Sequence, residues 1–191
     1  MIIGSHNSWS YLKPLHWWMY PFRFMAKCQS KSIKEQYNAG VRCFDLRIKF
    51  KEGNLYLAHG FMIYKYNYVD LSLDLQWLND RPDEVCIRIL HEVRNESEYT
   101  NEAVFGFRSV CNQLPSLFPN LKFWCGRNLY NWEEDYEFSF KPSCEEKYSS
   151  VCKPKWLDDW WPWLFAKLNN KKIVKQGTDK DILLIDYIQY A

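Results

Sequence analysis

Hydrophobic positions change period repeatedly along the 191 residues, and each change marks an element. Ile2-Ile3 open a short apolar strand that stops abruptly at Gly4-Ser5-His6-Asn7. From residue 8 to 29 bulky rings follow one another without a period, and Pro14 and Pro21 exclude one long helix. Ser32-Ile33-Lys34-Glu35 reads as a capping box and Gly40 as the residue closing a helix over 32–39. Alternation over 41–50, a turn at Lys51-Glu52-Gly53-Asn54 and a second run to Gly60 predict a β-hairpin. Arg47 and His59 are equidistant from Gly53, so a register centred there makes them cross-strand neighbours, with Asp45 on the same face.

Leu71, Leu75 and Leu78 form one stripe of a helix over 70–80, which Pro82 ends. The almost unbroken apolar run 84–90 suits a parallel strand buried on both faces. A second amphipathic helix is predicted over 101–114 and a strand over 121–125, ending at Gly126-Arg127. Further strands are predicted at 136–140, 172–175 and 182–188, with a helix from Asp158-Asp159 through Pro162 to about residue 167. Seven or eight strands alternating irregularly with four helices indicate an α/β chain, a small distorted (β/α) TIM-type barrel. A regular eightfold barrel takes about 250 residues, so some helices must be missing or replaced by loops. Residues 1–191 read as one domain.

Composition narrows the partners. A net charge of +2 argues against nucleic acid. Aromatic residues at 18%, with ten Trp, exceed what a core needs, so some rings should face an apolar or sugar-like partner. The rings of residues 8–29, Trp17 and Trp18 among them, either cover one end of the core or form a rim that dips into a lipid interface. Seven cysteines without a C-x-x-C pair point to neither a zinc site nor a redox dithiol. Cys43, Cys86 and Cys125 lie in apolar runs as small hydrophobes, which favours a reducing compartment, although Cys144 and Cys152 could pair in an extracellular one. No run of eighteen apolar residues spans a membrane, and a strand starting at Ile2 leaves no room for a signal peptide. The expected location is cytoplasmic, or extracellular only if residues have been removed from the N-terminus.

The polar residues at the ends of apolar runs carry the chemistry: His6, Asp45, Arg47, His59 and Asp186. Two imidazoles and a guanidinium suit cleavage of a phosphodiester by a neighbouring hydroxyl. One imidazole takes the hydroxyl proton, the other supplies one to the leaving oxygen, and the guanidinium neutralises the non-bridging oxygens. Asp186 could orient one imidazole and stabilise its protonated form. Taken alone, Asp45 and Arg47 could also be a simple ion pair, and His16 and His91 read as satisfied core residues.

Four motifs carry a resemblance. Gly4-Ser5-His6-Asn7-Ser8, residues 29–40 followed by Val41-Arg42-Cys43-Phe44-Asp45-Leu46-Arg47, then Ala58-His59-Gly60, and finally Trp77-Leu78-Asn79-Asp80-Arg81-Pro82-Asp83-Glu84-Val85 resemble the X domain of phosphatidylinositol-specific phospholipase C. They agree in order and spacing over the first half of the chain; past residue 95 only the last strand with Asp186 is similar. The resemblance implies a distorted, incomplete barrel. It also implies cleavage of phosphatidylinositol, or a related inositol phospholipid at a membrane surface, to diacylglycerol and inositol 1,2-cyclic phosphate.

On that basis His6 is the general base toward the inositol 2-hydroxyl, held by Asp186, and His59 the general acid toward the diacylglycerol oxygen. Arg47 matches the arginine of the bacterial, metal-independent branch, where the animal enzymes have a calcium-binding carboxylate, so no metal and no cofactor are implied. Asp45 would fix Arg47. Asn7 departs from that branch, which has an aspartate assisting the acid there; an amide orients but carries no charge. Arg127 is the candidate for inositol hydroxyls or phosphate, or else a surface arginine, and Trp17 and Trp18 fall in the membrane rim. Two rival readings remain. A glycerophosphodiester phosphodiesterase would need a carboxylate metal site where this chain has Arg47. A non-catalytic inositol-phosphate or membrane-binding module would need cations more than histidines.

Overall fold

A computed structural model describes residues 1–93, 96–127, 142–143, 154, 156–177 and 182–191, with only the backbone placed at 96, 125–127, 142–143 and 158–159. Among these, the chain forms β1 (Ile2–Ser5), α1 (Arg23–Ala26), α2 (Ile33–Asn38), β2 (Cys43–Lys51), β3 (Asn54–His59), β4 (Met62–Ile63), α3 (Tyr68–Asn79) and β5 (Val85–His91). It continues with α4 (Asn101–Leu117), β6 (Leu121–Arg127), β7 (Pro142–Ser143), α5 (Trp156–Trp160), α6 (Pro162–Gln176) and β8 (Ile182–Ile185). The strands make one curled, incomplete barrel sheet in the order β4-β3-β2-β1-β8-β7, with β5 on the other edge of β2 and β6 beyond it.

Strand β2 exchanges neighbours halfway along one edge. Its first residues pair in parallel with β1, Gly4 to Cys43 and Ser5 to Phe44. Its last residues pair antiparallel with β3, from Ile48–Leu57 to Lys51–Asn54. Between the two, Asp45, Leu46 and Arg47 have no strand partner on that edge, while β5 runs parallel along the other from Cys43–Cys86 to Ile48–His91. The gap is where the ends of β1 and β3 meet. β1 is wedged between β2 and β8 so closely that a Cβ on Gly4 would sit 2.6 Å from Leu184 and 3.2 Å from the Cys43 Cβ. Only glycine permits that approach.

Local chemistry explains the helices. Ser32 Oγ accepts from the Glu35 N–H and the Glu35 carboxylate accepts from the Ser32 N–H at 2.8 Å, the reciprocal capping box expected for α2. Asn67 caps α3 by accepting from the Asp70 N–H at 2.8 Å, and Leu71, Leu75 and Leu78 are its buried stripe. The prolines of residues 8–29 allow only a 3₁₀ turn over Trp17–Phe22 and the single turn α1. β5 is buried on both faces apart from Arg88 at its centre, as a strand between two parallel neighbours must be.

Four expectations need correction. The hairpin turn is centred between Glu52 and Gly53, not on Gly53: both residues have positive φ, 52° and 72°, as a two-residue type I′ turn requires. Register therefore shifts by one, and Arg47 and His59 are not cross-strand partners. Residues 172–175 are not a strand; Ile173 continues the helical stripe Phe165, Ala166, Asn169, Asn170 of α6, which outweighs its β-branched local preference. The helix expected from Asp158 is two, α5 and α6, broken at Trp161 with Pro162 at the first position of the second. His16 is exposed and stacks on Trp18 at 5.6 Å rather than lying in the core, whereas His91 is buried against Phe107. The strand expected at 136–140 and the Cys144–Cys152 pair lie outside the described residues.

Candidate active site

Built from the end of β1 outward, the site starts with His6, whose N–H still bonds the Ile185 carbonyl at 3.0 Å before the chain turns away. Asn7, at φ 42°, makes that turn, a left-handed conformation asparagine tolerates. The His6 ring is thereby aimed at the end of β8, and its Nδ1–H donates to Asp186 Oδ1 at 2.7 Å. Asp186 is 3% exposed and His6 27%, so the carboxylate is sealed behind a ring that remains reachable from solvent. Gln29 staples the two strand ends: its Nε2 donates to the carbonyls of Ile185 at 2.7 Å and His6 at 3.2 Å, and its Oε1 accepts from the Ile188 N–H.

Arg47 projects from the stretch of β2 between its pairings with β1 and β3. Its Nε donates to Asp45 Oδ2 at 2.9 Å, its Nη1 to Glu92 Oε2 at 3.1 Å and its Nη2 to His6 Nε2 at 2.6 Å. A guanidinium has no acceptor, so Nε2 of His6 carries the lone pair and Nδ1 the proton. Asp45 is fully buried and also receives the Asn7 N–H at 2.9 Å, with Arg88 3.6 Å from its other oxygen. Burial alone would raise its carboxyl; the charges of Arg47 and Arg88, with the Asn7 N–H, outweigh that and hold it below the usual carboxylate range. Burial likewise opposes the charge of Arg47, but Asp45 and Glu92 more than restore it.

His59 reaches the same space from the end of β3, where pairing passes from β2 to β4 through His59–Met62. Its ring stands edge-on to that of His6, centroids 5.4 Å apart and planes at 87°. The release of β3 from β2 beyond Leu57 lets His59 converge on His6 despite the shifted register. Nδ1 lies 3.1 Å from the Ala26 carbonyl, which can only accept, and 3.8 Å from Cys28 Sγ. Burial, and then the charge of Arg47, push this imidazole down to about 3. Asn7 reaches it indirectly: its side-chain amide donates to Tyr64 OH at 3.4 Å, and Tyr64 donates to the same Ala26 carbonyl at 2.9 Å.

His6, Asn7, Asp45, Arg47, His59 and Asp186 thus converge. Arg127 ends β6, in register with His91, but its side chain lies outside the described residues. Trp17 and Trp18 are 83% and 52% exposed. Tyr20, Phe22 and Phe24 are exposed as well, and Phe24 stacks on Trp161 at 6.4 Å while Trp156 meets Trp161 at 6.1 Å. Three residues escape a sequence reading. Glu92 ties Arg47 to the Gly60 N–H at 2.9 Å, directly after His59; its signal was a carboxylate just past a buried parallel strand. Cys28 and Gln29 sit in an aperiodic loop and carry no such signal. No helix among the described residues is long and apolar enough to cross a membrane.

Comparison with family models and with curated proteins finds no match. Comparison with solved structures does. The phosphatidylinositol-specific phospholipase C of Listeria monocytogenes superposes with a TM-score of 0.60 at 13% identity, over 99% of this chain and 89% of that one. A double mutant of the Staphylococcus aureus phosphatidylinositol-specific phospholipase C gives 0.66 at 15% identity over 100% and 86% of the two chains. Another structure of the S. aureus enzyme, concerned with modulation of its membrane binding, gives 0.58 at 15% identity over 100% and 86%. The chain therefore has the distorted barrel fold of these bacterial enzymes.

Proposed function

We propose that this chain cleaves an inositol phospholipid of the phosphatidylinositol class at a membrane surface, by acid–base catalysis between His6 and His59. The observation that carries the proposal is their edge-to-face placement 5.4 Å apart, with Asp186 on one and Arg47 between the carboxylates and the ring. In the first step His6 Nε2 takes the proton of the inositol 2-hydroxyl, and that oxygen attacks phosphorus. The bond from phosphorus to the diacylglycerol oxygen breaks, and His59 delivers a proton to the departing oxygen. Asp186 stabilises the imidazolium formed at His6, and Arg47, turned from Nε2 to the phosphate, neutralises its non-bridging oxygens. Water attacking the cyclic phosphate would reverse the two roles.

In the empty site His59 is held neutral by burial and by the Arg47 charge. A bound phosphodiester carries a negative charge that favours the imidazolium, so the acid becomes charged when its substrate arrives. The exposed rings, Trp17, Trp18, Phe22 and Phe24 among them, are suited to a lipid interface, where amphipathic rings are favoured. Arg47 occupies the place and charge of a cation, so the reaction should proceed without calcium.

The test is release of water-soluble inositol phosphate from phosphatidylinositol vesicles in excess chelator, comparing the chain with His6→Ala and His59→Ala. Release of cyclic phosphate that both variants lose supports the reading. Vesicle binding without release overturns it in favour of a binding module, and release that needs an added divalent cation overturns the metal-free step.

A further inference from the structure

We infer that His6, Cys28 and His59 form a binding site for a thiophilic divalent cation, Zn²⁺ in its simplest form, which closes the site by taking both imidazoles at once. One nitrogen from each ring and the Cys28 sulfur lie within 4.8 Å of one another. Cys28 Sγ is 3.8 Å from His59 Nδ1, near the roughly 3.5 Å that separates sulfur and nitrogen on one tetrahedral zinc with ordinary bond lengths. Two imidazoles and a thiolate are a soft donor set that oxygen-seeking calcium and magnesium do not favour.

The surroundings fit as well. Asp186 on Nδ1 of His6 is the carboxylate partner that orients a metal-bound histidine and leaves Nε2 to the ion. Arg47 gives up Nε2 but keeps Asp45 and Glu92. His59 exchanges its bond to the Ala26 carbonyl for the metal. Three carboxylates, Asp45, Glu92 and Asp186, face two guanidiniums, Arg47 and Arg88. With Cys28 as thiolate the cluster is two charges negative, which a divalent ion neutralises. Cys28 is reduced and buried, next to rings that remain part-exposed, so an ion enters past His6 and leaves the fourth ligand position to water. Binding rests on this geometry alone; blockade of turnover rests on the function proposed above.

Co²⁺ and Zn²⁺ titrated into the full chain without lipid should bind one equivalent, and the Co²⁺ form should show a thiolate-to-metal charge-transfer absorption. Cys28→Ser should lose that absorption and, like His59→Gln, bind Zn²⁺ at least about tenfold more weakly, as loss of even an outer-shell partner can cause. A wild-type Co²⁺ spectrum without the thiolate band overturns the site whatever the variants do, and so does an unchanged affinity in folded Cys28→Ser. In the vesicle assay Zn²⁺ should abolish release and chelator restore it; full activity with Zn²⁺ bound overturns the blockade. A chain that releases no inositol phosphate under any condition defeats the proposed function, while the spectrum still decides the metal site.

Discussion

The surroundings of His6 and of His59 differ in almost everything that touches the two rings, although the rings themselves are only 5.4 Å apart. His6 sits in a field of full charges, a sealed carboxylate on one nitrogen and a guanidinium on the other. His59 sits against a carbonyl and a thiol, and burial with the nearby Arg47 charge pushes it down to about 3. Two identical side chains thus stand in different environments, as the opposite proton tasks proposed for them require. In the proposed reaction the base would be set in advance by its partner, whereas the acid would wait for the charge of the substrate.

The largest effect should come from deleting either ring. His6→Ala and His59→Ala should each lower the rate of inositol phosphate release by about 10²- to 10⁴-fold, and the double variant little further, because the two act as a unit. A silent member of the pair in initial-rate measurements would break the comparison. Next comes the charged side. Asp45→Ala removes a fully buried counter-charge from beside Arg47 and Arg88 and should cost about 3–5 kcal/mol in denaturant unfolding at neutral pH. Because the Asp45 carboxyl is held below its ordinary value, its contribution is complete above about pH 4 and fades as pH falls through the folded value, so the gap between variant and wild type should narrow in acid.

Glu92→Gln removes the charge from Arg47 Nη1 and loosens the tie to Gly60, so it touches both flanks. A loss of about tenfold in kcat, near 1.4 kcal/mol, is expected, with a smaller stability loss than Asp45→Ala because the amide keeps a hydrogen-bonding group in place; an unaltered rate would show that Arg47 needs only Asp45. The smallest effect concerns His59 and pH. Its folded value lies below the ordinary one near 6.5, so the unfolded chain binds its proton first and stability falls as pH drops from about 6.5 toward 3. His59→Gln should flatten that part of the stability–pH curve, and in the wild type the alkaline limb, where the acid loses its proton, should titrate higher in kcat than in kcat/KM, since the bound phosphate raises the imidazole. Coincident limbs would remove substrate charging from the mechanism.

Much of the scaffold was legible because local rules governed it. The Ser32–Glu35 box, the Leu71, Leu75, Leu78 stripe and the apolar run of β5 each met the element they predicted. The hairpin was legible as a hairpin, but not its register, because one residue of shift leaves the alternation intact while it moves every cross-strand pair. The strand expected at 172–175 failed because its β-branched pair, Ile173 and Val174, also fits the stripe of a longer helix docked on the core.

The sequence by itself marked His6, Asp45, Arg47, His59 and Asp186 as candidates and showed where each lies on its own element, because a polar side chain at the end of an apolar run stands at the end of a strand. Only the tertiary structure decided how they meet. The exchange of β1 for β3 along β2, the Glu92 bridge, the Gln29 staple and the Cys28 sulfur beside His59 join segments far apart in the chain. Local periodicity records which face of an element is buried. It does not record which side chain of another element arrives within 3 Å of it, and that is set by register and packing of the whole sheet.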